Sequence, residues 1–256
     1  MTTPWKTLSE RVRDSVRIIH LPVGIKLAHE GEAIPQKARR PLADMGHAIA
    51  VCQAMTIART IGWTMVFEKG DHGCPVPPVL LGMARPDRFL QGHLASYYQD
   101  REEVAKAMEA SYPRWPMDEI KEVWISPLER CVFTPDVLVI YGNPAQILSV
   151  INAANFRKGE GVTSISTGRF GCSAWLAGVV QSQKPTYLIP GPGERVFAGT
   201  QDYEVSFALP LNAIDDFLEG LEYVRRKGAY RYPVPNLSVM GKPAMPGDYF
   251  KILEDD

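Results

Sequence analysis

Between Pro135-Asp136 and Gly142 five apolar residues follow one another without a break, Val137-Leu138-Val139-Ile140-Tyr141. A strand with one face in water alternates polar and apolar side chains, so this run belongs to a strand covered on both faces. Such a strand needs a sheet with further layers on each side, and the rest of the chain offers them. Leu8, Val12, Val16 and Ile19 recur at helical spacing behind Pro4, and Ile214, Phe217, Leu218, Leu221 and Val224 form a stripe that ends in Arg225-Arg226-Lys227-Gly228. Basic residues followed by glycine are the signals of a helix C-terminus. A helix is predicted from Pro41 to about Ile61, with Met45, Ile49, Cys52 and Met55 on one face and Gly62 past its end. Asn143 and Gln146 bracket Pro144 with the spacing of a capping box.

Further strands are predicted at 22–28, 63–67, 123–125, 162–166, 186–189 and 203–209. In the last, Tyr203, Val205, Phe207 and Leu209 alternate with Glu204, Ser206 and Ala208, which reads as a half-exposed strand. The pattern predicts an α/β or α+β fold, a central sheet of mixed strand direction flanked by helices. At 256 residues the chain is long enough for one domain with a sizeable core. Residues 229–256, rich in proline and glycine, are expected to wrap the surface or a neighbouring subunit, which leaves a homo-oligomer open.

Two pentapeptides share the pattern Gly-x-x-Gly-Cys: Gly70-Asp71-His72-Gly73-Cys74 and Gly168-Arg169-Phe170-Gly171-Cys172. Each follows a predicted strand, helix and strand, so the expected order occurs over 23–74 and again over 137–172. An internal duplication would divide the domain into halves of about 21–120 and 121–228. A glycine before the cysteine lets the backbone turn so that a thiol is presented beside free amide groups. The plainer alternative is a pair of glycine turns, each with a small buried residue attached.

Totals narrow the class of function. With 28 basic and 29 acidic residues the net charge is −1, which makes no electrostatic case for nucleic acid or an anionic membrane. No apolar run approaches a membrane span, and the N-terminus lacks the apolar stretch of a signal peptide, so a cytoplasmic location is expected. Four cysteines are too few for a disulfide scaffold and are expected to be thiols or metal ligands.

Several stretches together resemble the ArCR family, a domain of unknown function numbered 169. They are the helix bearing Cys52, Gly73-Cys74 with Leu81-Gly82 after it, Pro135-Asp136-Val137, Asn143-Pro144-Ala145-Gln146, Gly171-Cys172 and Leu209-Pro210 with the helix beyond. The resemblance spans about Leu21 to about Glu222. It implies a mixed α and β fold from bacteria or archaea, cysteines at positions like Cys52, Cys74 and Cys172 with Cys131 less general, and no established reaction.

Three cysteines from distant points, two on glycine loops, suit an iron–sulfur cluster, here expected to be 4Fe–4S, used for redox or for binding a small ligand. Cys131 is the doubtful fourth ligand; without it one iron stays open. Against a cluster stands the lack of any Cys-x-x-Cys, since four unrelated buried cysteines would be spaced as widely. Zinc held by the three cysteines and His72 ranks below it, because His72 and Cys74 lie in one short loop. A cysteine nucleophile is a further alternative, as is a metal-free small-molecule-binding or accessory protein with structural cysteines; catalytic residues are not identified. His72, Arg169 and Arg195 are candidate ligand-binding residues, although a surface arginine in water is the plainer reading of each arginine. A small ligand or a redox partner is the expected partner.

Overall fold

The computed structural model describes residues 4–164 and 166–227, so the expected wrapping segment 229–256 lies outside the described residues. The sheet has six strands: β1 (Val23–Ala28), β2 (Met65–Phe67), β3 (Glu122–Pro127), β4 (Val137–Gly142), β5 (Thr186–Leu188) and β6 (Val205–Pro210). Their order is β2-β3-β1-β4-β6-β5, and all five pairings are antiparallel where mixed directions were expected. The architecture is therefore α+β.

Each half of the sheet has one arrangement. The first strand of its half lies innermost, the third beside it and the second at the edge. One sheet is continuous through both halves.

Alternate residues of the central strands feed two separate cores. Val23, Ile25 and Leu27 of β1 and Val137, Val139 and Tyr141 of β4 pack with Met55, Trp175 and Leu176 on one face. Leu138 and Ile140 of β4 point to the other, among Leu8, Val12, Ile147, Val150, Phe207 and Phe217. This is why β4 carries no polar residue. β6, paired with β4 and β5 at its two edges, is also covered on both faces by helices, and Ser206 and Ala208 are buried rather than exposed.

The second core is closed by three helices: α1 (Pro4–Val16), α5 (Pro144–Ala154) and α9 (Ile214–Lys227). The expected cap of α5 forms, with the Gln146 amide donating to Asn143 Oδ1 at 2.9 Å and the Asn143 amide donating to Gln146 Oε1 at 2.9 Å. On the first face the helix predicted over 41–61 is broken. A π-helical turn at Pro41–Met45 ends at Gly46 (φ 78°), and α2 (Val51–Thr56) starts afresh and runs into a π-helical turn at Ile57–Ile61 that stops at Gly62 (φ 85°). The short α3 (Val76–Leu80) and α4 (Glu102–Ala110) lie between β2 and β3.

The second glycine loop opens α6 (Gly171–Ser173), which continues through a π-helical turn at Ala174–Gly178 into α7 (Val179–Ser182). A strand was expected over 162–166 before this loop; among the described residues, 162–164 and 166 are not strand. The two pentapeptides thus differ in topology. Gly70–Cys74 follows the second strand of its half, whereas Gly168–Cys172 opens the helix that leads into the second strand of the other. By position it is the Cys52 helix that matches the Cys172 helix. α8 (Pro192–Val196) then lies between β5 and β6, as Cys74 and α3 lie between β2 and β3. Among the described residues no helix is long and apolar enough to cross a membrane.

Candidate functional site

Three segments remote in sequence meet on the face of the sheet that carries α2 and α6. Cys52 stands in the first turn of α2. The Cys74 loop is tied to the approach of that helix by backbone bonds, the Ile49 amide donating to the Asp71 carbonyl (3.2 Å) and the Gly73 amide donating to the Ile49 carbonyl (2.8 Å). Gly73 is required by this closeness, since a Cβ there would come within 3.0 Å of the Ala48 carbonyl oxygen. Asp71 holds the loop from beneath, accepting from the amides of Leu42 and Glu68 at 3.0 Å each. Cys172, in α6, completes the set.

Cys52, Cys74 and Cys172 line one pocket of about 270 Å³, together with Pro77, Tyr98, Arg169, Phe170, Pro192, Glu194, Val196 and Phe197. Its wall is predominantly apolar, and α8 forms one side. The Cys52 thiol donates to the Gly193 carbonyl at 3.7 Å. Glu194 is buried, accepting the Gly191 amide at 2.9 Å and the Tyr141 hydroxyl at 3.3 Å. The approach is tight enough that a Cβ on Gly171 would overlap Glu194 Oε2.

The electrostatics show how near these groups are. Burial, then the Glu194 and Cys74 charges, push the Cys52 thiol up to about 12. Burial, then Cys74, Cys52 and Glu194, push Cys172 well above the usual thiol range, and burial raises Cys74 too. Glu194 itself is raised to about 7, mainly by burial, against the stabilising hydrogen bonds from Gly191 and Tyr141. At neutral pH the three thiols hold their protons unless a positive centre replaces them, which weighs against a thiolate nucleophile.

Of the other candidate residues, Cys131, His72 and Arg195 lie elsewhere. Cys131 is on the opposite face of the sheet. Its sulfur would stand 3.4 Å from a Cβ on Gly24, whose neighbours Val23 and Ile25 point to the first face, and its thiol donates to the Phe133 carbonyl at 3.2 Å. Burial pushes it up to about 12 without any help from the other cysteines. His72 is not among the lining residues; its ring packs on Phe67 (5.2 Å between centroids), and burial lowers it to about 4. Arg195 is likewise outside the lining and is occupied by the carbonyls of Pro190 (3.2 Å) and Gln201 (3.1 Å) and by Asp202 (2.8 Å). Arg169 does line the pocket, and it is buried rather than a surface arginine.

Among the described residues no three His, Cys, Asp or Glu side chains form a group that could hold a metal ion. The zinc arrangement with His72 is therefore not formed. Glu194 is the site residue that the sequence reading passed over. Its signal was the spacing Gly191 to Glu194 around Pro192, which repeats one half of the α5 cap: Glu194 accepts the Gly191 amide as Gln146 accepts that of Asn143, but glycine has no side chain to return the bond.

A family model described as uncharacterised ArCR, a domain of unknown function, matches residues 11–220. The chain belongs to the ArCR family. An uncharacterised protein of Methanocaldococcus jannaschii is 26% identical to this ArCR chain over 216 residues, covering 80% of the chain and 88% of that protein. No solved structure matches. The matched span includes all four cysteines, Arg169 and Glu194, so the whole pocket lies within the ArCR region.

Proposed function

We propose that this protein binds an iron–sulfur cluster through Cys52, Cys74 and Cys172, with no cysteine for a fourth iron. The observation that carries the reading is the convergence of these three thiols on one apolar pocket, with Cys131 on the other side of the sheet. A single ion needs its ligands within one coordination sphere, with sulfur at about 2.3 Å from zinc. A cluster gives each thiolate its own iron, and so accepts sulfurs set further apart. Three soft donors in a mostly apolar wall are the donor set that clusters use, and the iron pays for removing three protons that burial otherwise holds in place.

When bound, a cluster with one iron free of cysteine supplies electron transfer or a coordination position for a small ligand. The protein's own residues do the rest. Phe170, Val196 and Phe197 give the pocket apolar lining. Glu194, raised to about 7, is able to hold or release a proton beside Cys52 and Cys172 near neutral pH.

The test is anaerobic purification of the full chain with visible absorption and iron and acid-labile sulfide analysis, alongside single Cys→Ser variants. Broad visible absorption that is lost in Cys52→Ser, Cys74→Ser or Cys172→Ser and retained in Cys131→Ser is expected. A protein that stays colourless and free of iron and sulfide after attempted reconstitution overturns the reading and leaves a metal-free small-molecule pocket.

A further inference from the structure

The site is built twice over. β1 and β4 pair antiparallel at the centre of the sheet, Gly24 opposite Leu138, and antiparallel neighbours are related by a local two-fold axis that runs through the sheet between them. About that axis the order β2-β3-β1 becomes β5-β6-β4, so that β1 corresponds to β4, β2 to β5 and β3 to β6. The segments between the strands correspond too. Cys52 and Cys172 stand on the helices that lead to the edge strands, Met65 being the thirteenth residue after Cys52 and Thr186 the fourteenth after Cys172. Cys74 is the seventh residue after β2 ends at Phe67, and the sixth residue after β5 ends at Leu188 is Glu194. The five-residue helices α3 and α8 lie at these two places, each with proline in its first turn.

The packing repeats as well. α2 touches α8 and α3 touches α6, which is one contact made once from each half. After burial, the charge that weighs most on Cys52 is that of Glu194, and on Cys172 it is that of Cys74. Of the four corresponding positions that line the pocket, three are cysteines and Glu194 is the fourth.

We propose, resting on the cluster reading above, that Glu194 is the fourth protein ligand, its carboxylate holding the iron that no cysteine reaches. On ligation the carboxyl proton leaves to solvent and one oxygen lone pair forms the bond to iron, with no change of oxidation state. The carboxylate has the capacity for it. Oε2 accepts the Gly191 amide at 2.9 Å and Oε1 the Tyr141 hydroxyl at 3.3 Å, and each oxygen keeps a further lone pair. Hydrogen bonds of this kind are what orients a metal-bound carboxylate. A hard oxygen donor holds a cluster iron less firmly than a soft thiolate does, which makes this corner the one that an incoming small ligand displaces.

The experiment uses the full chain, purified anaerobically and reconstituted with iron and sulfide, as wild type and as Glu194→Gln. Two quantities are read. One is the affinity for the fourth iron, by chelator competition against the three-iron form. The other is oxygen ligation of the reduced cluster, by electron–nuclear double resonance in water enriched in the magnetic isotope of oxygen. Wild type is expected to show no labelled oxygen on iron, because the carboxylate fills the position. In Glu194→Gln, labelled water is expected on the cluster, and the fourth iron is expected to bind at least about tenfold more weakly. Labelled water on the wild-type cluster, or equal iron affinity in the two proteins, overturns the proposal and leaves the three-cysteine cluster standing. Wild-type protein that stays free of iron and sulfide after reconstitution overturns the cluster and this ligand together. If Glu194→Gln does not fold, the labelled-water spectrum of wild type decides the matter.

Discussion

The carbonyl oxygen of Arg169 fills the space that a Cβ would take on Gly191. Through this contact the Cys172 loop and the turn before α8 lie backbone to backbone, and that closeness sets Glu194 beside Gly171. The φ of Gly191 is −78°, so the requirement for glycine is one of space and not of conformation. Gly191→Ala is expected to push the two loops apart at a cost of about 1–3 kcal/mol. Urea unfolding measures the cost, and faster alkylation of Cys172 in the folded variant reports the opened pocket; wild-type stability with unchanged alkylation would show that the contact does not hold the loops together.

Glu194 links stability to pH. Its carboxyl is raised from 4.5 to about 7 in the folded protein, so between those values the unfolded chain ionises while the native one stays protonated. Native stability from this group is complete below about pH 4.5 and is lost as pH rises to about 7. Relative to wild type, Glu194→Gln should therefore gain stability across that window, by up to about 3 kcal/mol. Denaturant midpoints of metal-free protein at pH 5 and pH 8 check this, and a difference between the two proteins that does not change with pH would refute it.

His72 acts in the opposite direction. Burial lowers it from 6.5 to about 4, so on acidification the unfolded chain takes up a proton that the native ring refuses. Stability from this group is present above about pH 6.5 and is lost as pH falls toward 4, again by up to about 3 kcal/mol. His72→Phe, packed against Phe67, should show a weaker acid destabilisation than wild type in the same midpoint series. Because the two windows nearly coincide, wild-type protein conceals both effects and each variant reveals the other's.

Behind the pocket, Arg59 and Glu204 form a buried ion pair, 2% and 4% exposed, with one guanidinium nitrogen donating to Glu204 Oε2 at 3.0 Å and another to Oε1. The guanidinium also lies 4.2 Å over the ring of Tyr141, whose hydroxyl donates to Glu194. Glu204→Gln leaves Arg59 buried without its counter-charge and is expected to cost about 3–5 kcal/mol. The double variant Arg59→Met with Glu204→Leu should lose far less, and chemical denaturation of the two separates an unpaired charge from a simple packing defect.

The local features were legible in the chain itself. The run Val137–Tyr141 announced a doubly covered strand, Asn143 with Gln146 announced the cap of α5, and the stripe from Ile214 announced α9, because periodicity and capping depend on residues within a few positions of one another. Resemblance in short motifs was enough to point to the ArCR family. Alternation misled at β6, where Ser206 and Ala208 are buried because both faces of the sheet are covered there, and at residues 162–164, where a strand was expected and none forms. What only the tertiary structure decided is which distant groups meet. Cys52, Cys74 and Cys172 converge while Cys131, as far from its neighbours in sequence, lies across the sheet, because the side-chain alternation of β1 sends Gly24 and its neighbours to opposite faces. The burial of Arg169 and the place of Glu194 were decided in the same way, by loops brought together through long-range packing that no local spacing records.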